Sequence, residues 1–179
     1  EELKAADGTV IPADGLLEVI FLDESGHGKA ISDLPIGSYY VQEISTNSAY
    51  LLDDTKYPVV FEYAGQDTAV VEITANEGEA ISNEIIYGSV SGKKSDEDGN
   101  ALGGATLGIF KTGTTEFTKE TAIATAVSAE DGSFSFEKVP YGTWIVREIE
   151  SPKGFVLSEE EIAVTVGKVD EVVEISLVN

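Results

Sequence analysis

The chain contains no cysteine and no methionine, and its only histidine is His27. Without cysteine there can be no disulfide framework, thiolate metal site or thiol nucleophile. One histidine, in the glycine-flanked stretch "SGHGK", cannot build a catalytic triad or a histidine metal centre. No metal and no cofactor are therefore expected. Basic residues are scarce, with 11 Lys and Arg against 33 Asp and Glu and a net charge of −22. That balance excludes nucleic acid as an expected partner, because phosphate binding needs a basic surface. It also disfavours an anionic membrane surface, and its plain consequence is solubility. No apolar run is long enough to cross a bilayer, and no signal peptide is recognisable. An anchor is expected to lie outside these residues, and the chain to be a piece of a longer or processed protein.

Glycine patterns that would open a helix over a phosphate are missing. "SDEDGN" lacks the spacing and the distal bidentate glutamate of an EF-hand, so it reads as a solvated hairpin turn. What the chain does contain is short alternating runs rich in Val, Ile, Thr and aromatics, separated by Gly, Asp and Asn. "EVIFLD", "YYVQEI", "YPVVFEY", "TAVVEIT", "SFSFEKV", "WIVREI", "IAVTV" and "EVVEISLV" are the runs, and they predict an all-β sandwich or barrel. "TKETAIATAV" comes nearest to a helical period, but its threonines fit a loop and strand equally well.

The sequence also repeats itself. "DESGHGKAISDLPIGSYYVQEI" matches "AEDGSFSFEKVPYGTWIVREI", each reading as turn, strand, Pro-x-Gly turn and a strand that carries a glutamate. Two homologous domains are expected, 1–87 and 88–179, with a short, stiff junction near Tyr87 and Gly88.

Alternate side chains of a strand share a face. In "WIVREIESPKGF", Trp144, Val146 and Glu148 fall together, which places a carboxylate on an apolar face. The same rule puts Lys94 with Val90 and Gly92 on the first strand of the second repeat. It puts Asn179 with Val173, Ile175 and Leu177 on the last. Burial pushes a carboxyl pKa up and an amine pKa down. A neutral amine is a nucleophile, and a protonated glutamate can relay protons. If the three meet, Lys94 can attack the Asn179 amide and expel ammonia, leaving an isopeptide bond. The alternative is a Lys94 that snorkels to water and a Glu148 in an ordinary salt bridge.

The second half, from Gly88 to Asn179, resembles the Cna B-type (SpaA-like, prealbumin-like) domains of Gram-positive surface adhesins and pilins. The resemblance is carried by "KKSDEDGNALGGATLGIF", "EDGSFSF", "VPYGTWIVREIESPKGF" and the terminal "ISLVN". It implies two tandem Ig-like, Greek-key β-sandwiches. It also implies that Lys94, in a Lys-x-Asp turn, is cross-linked to Asn179 with Glu148 as the catalytic group. Trp144 and Phe155 stand where the family pattern has tyrosines. The implied function is a structural stalk module of a surface protein on the Gram-positive cell wall, outside the cell, with neighbouring domains of the same protein as partners. The alternative is an adhesive module that recognises a host matrix protein or glycan. No enzymatic turnover is expected, since the cross-link is a single intramolecular event.

The first half resembles the same family from "DESGHGKAISDLPIGSYYVQEI" to "ISNEIIYG". Carried over residue by residue, the resemblance makes Glu43 the glutamate and Asn83 the amide partner. It departs in having Asn47 and Ala49 where the family has proline and glycine. Only 1–25 precede Gly26, whereas 88–131 precede the equivalent Gly132. One or two N-terminal strands are therefore expected to be missing. The partner lysine would lie upstream of the chain, or be Lys4.

Overall fold

The computed structural model describes residues 2–4, 8–32, 34–65 and 71–179. Among the described residues there is no α-helix, only β-strands and one 3-10 turn at Ala75–Gly78. This follows from the abundance of β-branched and aromatic residues in short runs between turn formers. The chain divides into two compact units, Glu1–Ile44 with Asp53–Ser82 and Ser45–Leu52 with Asn83–Asn179.

The first unit pairs β1 (Leu3–Lys4) with β2 (Val10–Ile11), and β3 (Gly37–Val41) with β4 (Tyr57–Phe61), both antiparallel. On β3, Tyr39 and Val41 are half-buried while Ser38 and Tyr40 face solvent, as the alternation predicts. The expected strand "EVIFLD" does not form: 18–22 lack regular structure, and Phe21 and Leu22 are exposed. An alternating pattern provides a face, but a strand also needs a partner for its backbone donors and acceptors. Of "TAVVEIT", 68–70 lie outside the described residues and 71–74 are irregular.

The second unit is a sandwich of two sheets. One has the order β11-β5-β8, built from β5 (Tyr87–Ser95), β8 (Ser133–Pro140) and β11 (Val172–Val178). The other has the order β10-β9-β6-β7, built from β6 (Thr106–Lys111), β7 (Ala124–Val127), β9 (Gly142–Glu150) and β10 (Ile162–Val166). Val90, Phe134, Phe136 and Leu177 from the first sheet pack with Leu107, Ile109, Val146 and Val164 from the second. β6 carried no alternation to read, because five of its six residues are buried. "TKETAIATAV" resolves into a turn followed by β7.

The first and last strands of this unit, β5 and β11, run parallel side by side, with Leu177 opposite Lys94 and Val178 opposite Ser95. The segment Ser45–Leu52 adds to the same unit instead of following a division at 87/88. Leu51 N donates to Glu84 O at 2.8 Å, Ile86 N donates to Ala49 O at 2.9 Å, and Tyr50 bridges Ile85.

Two glycines hold β5 in place. A Cβ on Gly92 would lie 2.4 Å from Ile175 O and 2.6 Å from the Phe134 ring, so only glycine lets β11 and β8 flank β5 this closely. Gly132 has φ +76°, and a Cβ there would fall 2.3 Å from Lys94 O. Its own carbonyl accepts from Lys94 N at 2.8 Å. Gly132→Ala should therefore destabilise the second unit by about 1–3 kcal/mol, through left-handed strain and a backbone clash. A lowered urea midpoint with an unchanged slope checks this, and an unchanged midpoint refutes it.

Candidate functional site: a buried lysine, asparagine and glutamate

The site lies between the two sheets of the second unit. β5 supplies Lys94, whose side chain is fully buried at 0% exposure. Its neighbour Lys93 points the other way and pairs at 2.8 Å with Asp131 on the surface. Strand parity separates these adjacent lysines, one into the core and one into water. The opposite sheet supplies Glu148 from β9, 1% exposed. Asn179 follows β11 directly, and its backbone N–H continues the parallel ladder by donating to Ser95 O at 3.0 Å. The three residues that parity placed on inward faces thus converge.

Asn179 sits in the middle of the contacts. Lys94 Nζ donates a short hydrogen bond to Asn179 Oδ1. Asn179 Nδ2 donates to Glu148 Oε1 at 3.3 Å and to Val156 O at 3.1 Å. The second carboxylate oxygen, Glu148 Oε2, accepts from Ser158 N at 2.7 Å. Among the described residues Lys94 and Glu148 form no direct ion pair, so neither an ordinary salt bridge nor a snorkelling lysine describes the site.

Burial holds the Lys94 amine below the ordinary lysine range, while the charges of Glu148 and then Glu160 pull it back up. Removing an ammonium from water without a paired counter-charge is costly, so the neutral amine gains population in the folded state. Chemically, the arrangement presents a desolvated amine to one end of a primary amide and a carboxylate to its nitrogen end.

Two participants were not visible in the sequence, the carbonyl of Val156 and the amide of Ser158. Both are backbone groups of the loop between β9 and β10, and residue type gives no signal for them. That loop is tied back to β9 by Arg147, whose Nη1 donates to Glu161 Oε1 at 2.9 Å while its guanidinium stacks 4.4 Å from the Phe117 ring centre.

The first repeat keeps part of the pattern. Glu43 Oε2 accepts from Asp53 N at 2.9 Å, ten residues on, the same separation as from Glu148 to Ser158. Asn83 Nδ2 donates to Leu51 O and to Thr46 Oγ1, both at 3.0 Å. Glu43 belongs to the first compact unit and Asn83 to the second. Lys4 is exposed at the end of β1, unlike Lys94.

A search of curated proteins finds no match. Among solved structures, the Bacillus anthracis TIE protein is similar, with 26% identity and a TM-score of 0.63 over 88% of this chain and 27% of that one. BcpA, the major pilin subunit of Bacillus cereus, gives 16% identity and a TM-score of 0.45 over 78% of this chain and 41% of that one. A minor pilin of Streptococcus agalactiae gives 19% and 0.43 over 69% of this chain and 58% of that one. The chain thus spans less than two thirds of each of these structures. The SpaA prealbumin-like fold domain profile matches twice, over 2–85 and over 88–179. With both matches in place and the sandwich of the second unit in view, the chain belongs to the SpaA prealbumin-like fold domain family.

Proposed function

We propose that the chain is a structural stalk module of a Gram-positive cell-surface protein of the adhesin or pilin kind. Its second domain would be locked by a self-generated isopeptide bond between Lys94 and Asn179. The observation that carries this reading is the buried amine of Lys94 hydrogen-bonded to the Asn179 amide, with Glu148 on the amide nitrogen. Family membership and the likeness to the Bacillus anthracis TIE protein support the wider setting.

In the proposed step, the Lys94 Nζ lone pair attacks Asn179 Cγ. The bond from Cγ to Nδ2 breaks, and Nδ2 leaves as ammonia with a proton that originates on Nζ. Glu148 carries that proton, and its contact with Nδ2 suits delivery to the leaving group. Ser158 N and Val156 O hold the carboxylate and the amide in register before reaction, so little reorganisation is needed. No cofactor takes part, and the reaction happens once per chain.

The mechanical consequence follows from the parallel pairing of β5 and β11. Tension that enters ahead of β5 runs along it to Lys94 and crosses to Asn179, bypassing the strands between. The bond also closes a loop with a sequence separation of 85 residues. By the loop arithmetic used for disulfides, this is worth about 4–5 kcal/mol.

Intact-mass measurement of the purified chain should find it lighter than its sequence by one ammonia. Digestion with trypsin should yield 94–111 joined to 169–179. Glu148→Gln and Lys94→Met should each restore the full mass, and a full mass in the unsubstituted chain would sink the proposal. A second expectation concerns robustness. The cross-linked chain should resist thermolysin under partial denaturation far longer than Lys94→Met, with the difference confined to the second domain; equal half-lives count against a load-bearing role. A third concerns pH. In Glu148→Gln the uncross-linked lysine keeps its burial and loses its nearest counter-charge. Its folded pKa then lies below the ordinary 10.5, so the unfolded chain binds the extra proton. Stability should rise with pH between the folded value and 10.5, and Lys94→Met in the same background should remove that slope.

A further inference from the structure

The loop that follows the glutamate is built in the same way in both repeats. In the first, Tyr50 N donates to Asn47 O at 3.0 Å; in the second, Phe155 N donates to Pro152 O at 3.1 Å. Both turns begin four residues after the glutamate, at 47 from 43 and at 152 from 148. Eight residues after it, Leu51 O and Val156 O each accept from an asparagine side chain, Asn83 and Asn179. Ten residues after it, Asp53 N and Ser158 N each donate to the carboxylate. Three equivalent hydrogen bonds fix the two loops in one conformation, despite the replacement of Pro152 and Gly154 by Asn47 and Ala49.

The loops differ in what lies on them. In the first repeat, the residues immediately after Asn83 form an extended segment along the loop edge. Leu51 N donates to Glu84 O, Ile86 N donates to Ala49 O, and Leu51 is half-buried. The equivalent positions of the second repeat are Val156 N and Gly154 O. Neither makes a hydrogen bond among the described residues, and Val156 is 87% exposed. Phe155 and Leu157 on either side are also exposed, at 39% and 40%. An apolar triplet with a free backbone edge is what a pairing strand covers.

We propose that this edge, 154–157, is a docking site for an extended apolar segment that continues from Asn179 into a further repeat of the same family. The segment would lie as Glu84, Ile85 and Ile86 lie after Asn83. Its first residue would accept from Val156 N through its carbonyl, and its third would donate to Gly154 O. Its middle side chain would occupy the position beside Phe155 that Ile85 takes beside Tyr50. Asn179 thus has a second task that is independent of any cross-link: its side chain, bonded to Val156 O, sets the register of whatever follows it. The inference rests on hydrogen bonds present before any reaction, and it holds whether or not Lys94 is joined to Asn179.

The test extends the full chain at Asn179 in two forms. One adds a copy of 84–89. The other adds a copy of 84–179 with isoleucine in place of the copied Val156, so that the original amide is resolved. Amide exchange at Val156 is measured by NMR, with the paired Leu51 amide as internal standard. Val156 exchange should slow by about tenfold or more in either extension, approaching Leu51. Exchange at the unextended rate in both forms overturns the proposal. Proline in place of the residue copied from Ile86 removes the donor to Gly154 O and should abolish the slowing; protection that survives it overturns strand pairing. A full intact mass in the unextended chain would refute the cross-link and leave these outcomes unaffected.

Discussion

A primary amine held out of water is the constraint around which the second domain is arranged. Lys94 cannot be hydrated where it sits, and no carboxylate reaches it directly among the described residues. Its one polar partner is the side chain at the end of the last strand. For that contact to exist, β11 must run parallel beside β5, and Gly92 must admit it. The opposite sheet must then bring Glu148 to the far side of the same amide. Each of these requirements is met by backbone geometry around the three side chains, so the site and the sandwich cannot be specified separately.

The inward placement of the site was legible because a period of two is easy to violate visibly. Glu148 stands out among Trp144 and Val146, Lys94 among Val90 and Gly92, and Asn179 at the end of an apolar series. Strand parity also separates Lys93 from Lys94, a distinction that composition cannot make. The convergence of three separate strands needed the fold as well as the pattern. Backbone contributions stayed hidden, since Val156 and Ser158 act through groups that every residue carries. β6 was unreadable for a related reason: a strand buried on both faces has no alternation to detect. "EVIFLD" misled in the opposite direction, because alternation describes a face and says nothing about whether a partner edge exists.

The two repeats show which parts of this design depend on residue identity. The loop after the glutamate keeps its turn and its hydrogen bonds when proline and glycine become asparagine and alanine. The conformation is thus held by the acceptor and donor at its ends and not by restricted φ angles. A buried lysine is a stricter demand. Lys4 is exposed, and among its described residues the first unit has no fully buried apolar side chain to surround such a group.

Parallel first and last strands also fix a length. The chain enters at the start of β5 and leaves at the end of β11, at opposite ends of the sheet. β5 has nine residues, and at about 3.3 Å per residue it spans roughly 30 Å. Once bonded at Lys94, that distance has no slack to give up under load. A series of such domains would behave as a rod of set pitch, whose reach is counted in repeats and does not change when it is pulled.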